Sequence, residues 1–268
     1  MFDLKQIKKT TGLKAPFIVC YGTSGVGKTT FAAGAPNPIF IQTEQGEGSL
    51  EIDSFVDERG KTLATSLEAV LGMIDSLIKE NHTYETLVID SLDHLEPLIH
   101  NRVCAENNKT SIEKFDYGKG FTMSLDHFRV FLKKCQQLRT DKGMAIILIA
   151  HHHIKRFESP EHESIDRYDI KLHAKASGLI QESVDAVLFA KHKAKIKKED
   201  KGFGQTRARG IHTGERILVT AETPSCVAKN RYGLPQEIDL SWDAFQSAIV
   251  ESLKSIAEKT NTTNKERT

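Results

Sequence analysis

The sequence has almost no net charge, because 37 lysines and arginines are balanced by 36 aspartates and glutamates, which leaves a net charge of +1. The chain as a whole is therefore not a polycation, and nucleic-acid binding would have to depend on local basic clusters. Hydrophobic runs stay far below the roughly 18 residues of a membrane span, so we expect no membrane partner. The first residues, MFDLKQIKKTTGLKAP, lack the apolar core of a signal peptide, which predicts a cytoplasmic protein.

Cysteine is scarce and scattered, and no C-x-x-C pair occurs. This distribution is typical of reduced thiols rather than of a disulfide framework. The cysteines are Cys20, Cys104, Cys135 and Cys226.

Internal repeats and low-complexity linkers are also missing, which favours a single domain. We expect that domain over residues 1–250 and a polar, frayed C-terminal tail over residues 251–268.

Short apolar runs alternate with amphipathic segments through the first two thirds of the chain. Apolar runs bounded by turn residues indicate buried strands, and a 3.6-residue period indicates helices. The predicted strands are PFIVCYG (16–22), PIFIQTE (38–44), ETLVIDS (85–91) and MAIILIA (144–150). The predicted helices are 28–35, 121–139 and a segment from the N-cap Ser66 to about Glu80. This alternation predicts an α/β fold with a mostly parallel central sheet.

The pattern changes after Ser183. The segments SVDAVLFAKHKAKIKK, RILVTAE and SCVAKNRYG are typical of antiparallel hairpin strands that close one edge of a sheet. A final helix is predicted over WDAFQSAIVESLKSIAE (242–258). The C-terminal part is therefore expected to extend the parallel core with an antiparallel hairpin.

A glycine-rich segment, GTSGVGKT (22–29), fits the phosphate-binding pattern G-x-x-x-x-G-K-[ST]. It follows an apolar strand and opens a helix, which is the context that the pattern requires. Glycines let backbone N–H groups close around phosphate oxygens, and the helix N-terminus adds the positive end of its dipole. We therefore expect ATP to bind here, with Lys28 facing its β- and γ-phosphates; the alternative is a glycine turn with an incidental lysine. The expected binding residues are Gly22, Thr23, Ser24, Gly25, Val26, Gly27, Lys28, Thr29 and Thr30.

Two acidic residues stand at the ends of predicted strands. Asp90 ends TLVID, where its carboxylate can hold Mg²⁺ through water while Thr29 ligates the ion directly. Glu44 ends the strand after the phosphate-loop helix, where a carboxylate can lie beside the γ-phosphate and orient the attacking water. The alternative for Glu44 is a solvated side chain among its acidic neighbours Glu47 and Glu51.

Three adjacent histidines, 151–153, follow the apolar run IILIA. They could be metal ligands, a nucleic-acid contact or a sensor of something bound at the strand end. Consecutive strand residues point to opposite faces, so three neighbours rarely converge on one ion. No cysteine or carboxylate lies at a short ligand spacing, which argues against zinc.

The order of these features resembles the RecA/RadA recombinase ATPases, and especially the small phage RecA-like single-strand annealing proteins. The segments TEQGEGSLEID and AKNRYGLP are similar to the family's catalytic-glutamate segment and to its late basic segment, and the resemblance covers roughly residues 14–242. It implies a RecA-like ATPase core that uses ATP and Mg²⁺ and assembles on single-stranded DNA for homologous recombination or strand annealing. The implied partners are single-stranded DNA, further copies of the chain in a ring or filament, and a single-strand-binding protein. If a phage encodes the protein, it would work in the host cytoplasm.

The resemblance also implies roles for individual residues. His151 falls where the family usually has a glutamine that contacts the γ-phosphate, although His152 is an alternative. An imidazole can donate a hydrogen bond to phosphate and can become charged near neutral pH, so the contact could respond to pH. Lys229 and Arg231 would reach across a subunit boundary to a neighbour's γ-phosphate, as an arginine finger does in trans. The alternative is a solvated basic face.

Three segments are candidates for DNA contact. Residues 106–120 and 153–178 are polar, long for connections, and mix cations with Phe or Tyr. Lys191 to Arg209 holds the strongest positive charge, with alternating lysines that would form one basic stripe on a strand. Flexible surface loops and a lysine-protected edge strand are the alternatives.

Two other functions share the phosphate loop. One is a ring-forming ATPase motor of the helicase or packaging type, and the other is a nucleotide-binding regulator that never touches DNA. Stimulation of hydrolysis by single-stranded DNA would be expected of a recombinase and not of the regulator. Strand annealing without processive unwinding would be expected of a recombinase and not of the motor.

Overall fold

The computed structural model describes residues 14–44, 50–158, 163–200 and 206–265, with the backbone alone for 194–200, 206–213 and 256–265. The strands are β1 (Phe17–Gly22), β2 (Pro38–Gln42), β3 (Asp53–Ser54), β4 (Thr86–Asp90), β5 (Ala145–Phe157), β6 (Ile165–Ile170), β7 (Ala186–Asp200), β8 (Thr206–Val219), β9 (Lys229–Asn230) and β10 (Glu237–Asp239). The helices are α1 (Lys28–Ala33), α2 (Leu67–Lys79), α3 (Leu92–Glu106), α4 (Lys119–Lys142), α5 (Ala174–Ser183) and α6 (Trp242–Lys265).

The sheet has the order β10-β8-β7-β1-β5-β4-β2-β3. From β7 to β3 every neighbouring pair is parallel, whereas β8 and β10 add antiparallel strands beyond β7. The predicted fold class, an α/β core with a mostly parallel sheet and a C-terminal antiparallel hairpin extension, is confirmed. Because the carboxyl ends of parallel strands meet at one edge, the residues that follow β1, β2 and β4 are brought together there, beside His151 within β5.

The central strands are buried on both faces, which explains why they are continuous apolar runs. Alternate residues of each strand enter opposite layers, as the two-residue period requires. Helices α2 to α5 cover one face and α1 and α6 cover the other. On the second face Phe31 of α1 packs against Trp242 and Phe245 of α6, with ring centroids 5.7 and 6.1 Å apart.

Helix α2 begins where its sequence predicts. The hydroxyl of Ser66 accepts a hydrogen bond from the backbone N–H of Ala69 at 3.1 Å, which satisfies one of the free donors of the first turn. Val70, Ile74 and Leu77 lie on one face of the helix and are buried against the sheet.

The segment 153–178 is not one long loop. Strand β5 continues past Ala150 through the three histidines to Phe157, and β6 pairs with this extension in antiparallel register. Helix α5 then begins at Ala174. The backbone N–H and C=O groups of the extension find partners in β6, so a polar sequence can continue the strand.

Two helices differ from the prediction. Helix α3 fills the stretch after Asp90, where no element was predicted, and α6 continues to Lys265, past the expected end at Glu258. The four cysteines are buried and free. No described helix is long and apolar enough to cross a membrane.

Candidate nucleotide site

The phosphate loop forms a tight turn between β1 and α1. Gly25 and Gly27 have φ angles of 73° and 104°, a left-handed conformation that side chains rarely adopt. The Nζ of Lys28 lies inside this turn and donates hydrogen bonds to the carbonyl oxygens of Gly22 (3.3 Å) and Thr23 (2.9 Å). Burial lowers the pKa of Lys28. The loop thus holds a buried cation against its own carbonyls, a position from which Lys28 can transfer its hydrogen bonds to phosphate oxygens.

Thr29 and Asp90 meet at the first turn of α1. The hydroxyl of Thr29 donates a 2.9 Å hydrogen bond to Oδ2 of Asp90, which ends β4. Burial raises the pKa of Asp90 to about 6, a shift that the hydrogen bond from Thr29 opposes. A buried carboxylate beside a hydroxyl is a ligand pair that suits Mg²⁺, which prefers oxygen ligands. The predicted pair therefore fits the ion.

Glu44 lies two residues beyond the end of β2 and faces the same cavity. Its backbone N–H donates to the carbonyl oxygen of Asp90 at 3.4 Å, which fixes the chain beside β4. Its Oε2 lies 2.8 Å from Nδ1 of His94, and its Oε1 lies 3.9 Å from Nδ1 of His151. Glu44 is therefore held by imidazoles rather than by solvent alone.

His151 is the histidine of the triplet that faces the cavity. Its backbone N–H donates to Oδ1 of Asp93 at 2.9 Å, and its Nδ1 lies 3.0 Å from Oδ2 of the same carboxylate. Its Nε2 lies 3.5 Å from Oγ of Ser24 in the phosphate loop. His152 packs instead with its ring against Tyr168, with centroids 5.2 Å apart. The alternation along β5 thus separates the neighbours, as expected for a strand.

Asp93 stabilises the charged form of His151. The hydrogen bond to Asp93 raises the pKa of His151, against the effect of burial. Burial alone would raise the pKa of Asp93, but the hydrogen bonds from His151 outweigh it and hold that pKa well below its usual range. The Asp93 side chain is only 2% exposed, so this pairing is shielded from water.

These residues enclose a cavity of about 300 Å³ at the carboxyl edge of the sheet. Of the predicted phosphate-loop residues, Gly22, Thr23 and Val26 do not line it, and Val26 belongs to the core beneath. The lining residues are Ser24, Gly25, Gly27, Lys28, Thr29, Thr30, Glu44, Leu50, Asp90, His151 and Arg216.

Three residues of this site were not predicted from the sequence: His94, Asp93 and Arg216. Asp93 and His94 lie on the first turn of α3, a helix that the sequence pattern did not reveal. Arg216 lies on β8, and its Nη1 is 3.4 Å from the carbonyl oxygen of Val26. No local motif marks an arginine on a distant strand.

Lys229 and Arg231 lie away from the cavity of their own chain. Nζ of Lys229 donates to the carbonyl oxygens of Gln181 (2.6 Å) and Val184 (2.8 Å), at the C-terminal end of α5. A cation at this position satisfies free carbonyls and the negative end of the helix dipole. Arg231 is 57% exposed, and its Nη1 lies 3.8 Å from Oδ1 of Asp185.

The candidate DNA segments differ in their exposure. In residues 106–120 a fully exposed Tyr117 stands between the exposed Lys114 and Lys119. In the basic stripe, Lys191 lies 3.7 Å from Glu237 and Lys193 lies 3.0 Å from Glu215, so these two charges are paired. The remaining cations of the stripe, from Lys195 to Arg209, lie outside the described side chains.

Comparison with known proteins places the chain in a family. No curated protein matches the sequence. Among solved structures the chain is similar to one titled as the RadB recombinase, with 15% identity, a TM-score of 0.43, and coverage of 87% of this chain and 91% of that one. The family model described as AAA domain matches residues 14–232. The match spans most of the chain, including the phosphate loop, Glu44, Asp90 and His151, and the protein therefore belongs to this family of AAA-domain proteins.

Proposed function

We propose that the protein is a Mg²⁺-dependent ATPase that assembles on single-stranded DNA and acts in homologous recombination or strand annealing. The observation that carries the catalytic part is the convergence of Lys28, Asp90 and Glu44 on one cavity beside the phosphate loop. This set supplies a phosphate-binding cation, a metal-binding carboxylate and a water-orienting carboxylate, which is what phosphoryl transfer to water needs.

Each side chain has one task in this proposal. Lys28 would exchange the carbonyl oxygens of Gly22 and Thr23 for the β- and γ-phosphates of ATP. Thr29 and Asp90 would hold Mg²⁺, which supplies charge neutralisation at the phosphates when it is bound. Glu44 would orient the attacking water. His151, fixed by Asp93, would donate a hydrogen bond toward the γ-phosphate from the ring edge that faces Ser24.

The start of α4, directly after the candidate DNA segment 106–120, contacts the candidate segment 153–178. Phe121, at the start of α4, stacks on His173, the N-cap of α5, with ring centroids 4.1 Å apart and an angle of 4° between the planes. Nearby, Nζ of Lys175 donates to Oγ1 of Thr122 at 2.7 Å. The exposed Tyr117 lies a few residues before Phe121. The exposed Tyr117 ring between the exposed Lys114 and Lys119 suits a single strand, whose backbone is charged and whose bases stack.

Hydrogen bonds connect this surface to the cavity. Asp93, which holds His151, and Glu96 lie on the same helix, and the backbone N–H of His173 donates to both oxygens of Glu96 at 3.0 and 3.1 Å. The backbone N–H of Lys171 donates to the carbonyl oxygen of His151 at 2.9 Å. A shift of His151 toward a bound γ-phosphate would therefore act on the chain that leads to α5. This is the basis on which we expect DNA to stimulate hydrolysis.

Self-association is part of the proposal because the resemblance to recombinases implies that Lys229 and Arg231 act on a neighbouring subunit. The Arg231 side chain is 57% exposed, and its 3.8 Å contact with Asp185 could be exchanged for a contact with a neighbouring subunit. Lys229, in contrast, has a clear task within its own chain at the end of α5.

Measurement of nucleotide binding and phosphate release with purified protein tests the catalytic part. Wild-type protein should bind ATP with Mg²⁺ and release phosphate, whereas Lys28→Ala should bind nucleotide weakly and release none, because the cation facing the β- and γ-phosphates is lost. Equal turnover of the folded variant and the wild type would refute the assignment.

A further inference from the structure

We infer that Glu44, His94 and His151 form a second cation site, distinct from the expected magnesium site, that takes a transition-metal ion of the Zn²⁺ class. The inference rests in part on the proposed function, because Glu44 and His151 also belong to the nucleotide cavity. Its consequence would be inhibition, since a metal bound to Glu44 removes the carboxylate that orients the attacking water.

The geometry brings three ligand atoms from three elements to one place. One atom each from Glu44, His94 and His151 lies within 4.8 Å of the other two. Oε2 of Glu44 is 2.8 Å from Nδ1 of His94, and Oε1 is 3.9 Å from Nδ1 of His151. Ligand atoms around a tetrahedral zinc ion, at about 2.0–2.1 Å from the metal, are separated by roughly 3.3 Å. The two measured distances belong to different oxygens of Glu44, and one atom from each residue lies within 4.8 Å of the others, so side-chain rotations that shorten these separations by up to about 1.5 Å would bring the three atoms around one ion.

The donor set selects the class of ion. Two imidazoles and one carboxylate suit Zn²⁺ and its neighbours in the transition series, whereas Mg²⁺ prefers oxygen ligands. Three protein ligands leave a coordination position open to water, as in catalytic zinc sites. The oxygen ligands of Thr29 and Asp90 form a separate set, so the two kinds of ion need not compete for the same atoms.

Two neighbouring side chains contact the same ring nitrogens. Asp93, 2% exposed, accepts from Nδ1 of His151 at 3.0 Å, and Oγ of Ser91 lies 2.9 Å from Nδ1 of His94. An ion bound at these nitrogens would displace both contacts, so Asp93 and Ser91 hold the rings in place only while the site has no ion. One proton lies between Oε2 of Glu44 and Nδ1 of His94, and a metal ion bound to both atoms would replace it.

The three adjacent histidines do not converge on one ion. His152 and His153 do not join the cluster of described residues that could share an ion. The sheet instead supplies the partners of His151 from elsewhere in the chain, because the end of β2 and the start of α3 lie beside β5 at the carboxyl edge. The three ligands are therefore far apart in the sequence and are brought together only by the fold.

The test is direct metal binding to nucleotide-free protein that has been stripped with chelator. Co²⁺ serves as the spectroscopic probe, since a protein site gives visible absorption bands, and Zn²⁺ is titrated by calorimetry. Wild type and the control His153→Ala, which removes a neighbouring imidazole outside the cluster, should each bind one ion with the same affinity. His94→Ala should bind at least about tenfold more weakly, because it lacks one of the three ligands.

Circular dichroism establishes whether each variant is folded. If His94→Ala is not folded, Glu44→Gln is used in its place as the variant that lacks a ligand. The inference is overturned if wild-type protein binds neither ion, or if folded ligand variants bind as tightly as wild type. In that case His94 only holds Glu44 by a hydrogen bond. Because the readout uses no ATP, a failure of hydrolysis would count against the proposed function and would leave the metal result intact.

Discussion

The hydroxyl of Thr29 and the carboxylate of Asp90 are joined by a 2.9 Å hydrogen bond across 61 positions of the sequence. The bond ties the first turn of α1 to the end of β4, although β5 lies between β1 and β4 in the sheet. The two oxygen ligands expected for Mg²⁺ are therefore already adjacent. A preformed site of this kind avoids the cost of ordering its ligands when the ion binds.

Glu44→Gln should separate nucleotide binding from turnover. The amide keeps the size of the side chain and its contact with His94 but removes the charge that orients water. We expect ATP affinity to change little and phosphate release to fall by about 10²–10⁴-fold, the usual range for a lost general base. Paired measurements of ATP affinity and turnover in the same preparation check this, and a parallel loss of both would show a structural role.

Glu96→Gln should raise the stability of the protein at high pH. Burial raises the pKa of Glu96 from 4.5 to about 7, so the unfolded chain releases its proton at a lower pH than the folded one. Stability from this group is therefore complete below about pH 4.5 and declines as pH rises toward 7, by about 3 kcal/mol in total. Its charged or titratable neighbours are Asp93 and His100, and both remain in the variant.

The measurement is urea denaturation of wild type and Glu96→Gln at pH 5 and pH 8. The amide oxygen can still accept from the backbone N–H of His173, so the variant keeps the contact without the charge. We expect the two proteins to differ little at pH 5 and the variant to be more stable at pH 8. A variant that is less stable at both values would mean that the ionised carboxylate is needed for the fold.

Tyr117→Ala should weaken binding of single-stranded DNA. The ring is fully exposed and has no packing role, so its loss leaves the fold unchanged. Stacking of one base on an aromatic ring contributes about 1–3 kcal/mol, which corresponds to roughly a 5- to 150-fold loss of affinity. Fluorescence anisotropy with a labelled oligonucleotide measures this, with Val56→Ala as the control for an exposed apolar residue elsewhere. If Tyr117→Ala and Val56→Ala bound the oligonucleotide with equal affinity, Tyr117 would not contact DNA.

Lys229 and Arg231 should respond differently to substitution. Lys229→Ala removes a charged donor from the end of α5 and should lower stability by about 1–2 kcal/mol, whereas Arg231→Ala should leave stability nearly unchanged. If Arg231 acts on a neighbour, Arg231→Ala should lose assembly and activity but keep nucleotide binding.

A mixing experiment decides whether Arg231 acts in trans. Protein with Lys28→Ala keeps an intact Arg231, and protein with Arg231→Ala keeps an intact phosphate loop. Mixed oligomers should therefore recover activity that neither protein shows alone. Mixed oligomers that form but stay inactive would show that Arg231 does not act across the interface.

Much of the nucleotide site could be predicted because its parts are local. A glycine-rich turn between a strand and a helix, and acidic residues at strand ends, are visible in short windows of sequence. The sheet then brings Lys28, Asp90 and Glu44 together because parallel strands share a carboxyl edge. The antiparallel extension was visible for the same reason, since its apolar and alternating segments are separated in the sequence by a short segment with two glycines.

The missed features depend on tertiary partners. Helix α3 contains Pro97, which removes a backbone donor and interrupts the helical pattern, although its buried face holds the helix against the sheet. The polar end of β5 becomes a strand only because β6 pairs with it. His94 reaches Glu44 across 50 positions, and a contact of that separation leaves no periodic signal in the sequence.

The steady-state rate of ATP hydrolysis with and without single-stranded DNA tests the central claim most directly. Phosphate release is measured with Mg²⁺ at fixed ATP, with Lys28→Ala as the background and double-stranded DNA of the same sequence as the control. The account predicts that single-stranded DNA raises the rate well above that of protein alone and above that with duplex. A rate that stays the same while the DNA is demonstrably bound, or the absence of DNA binding altogether, would contradict it.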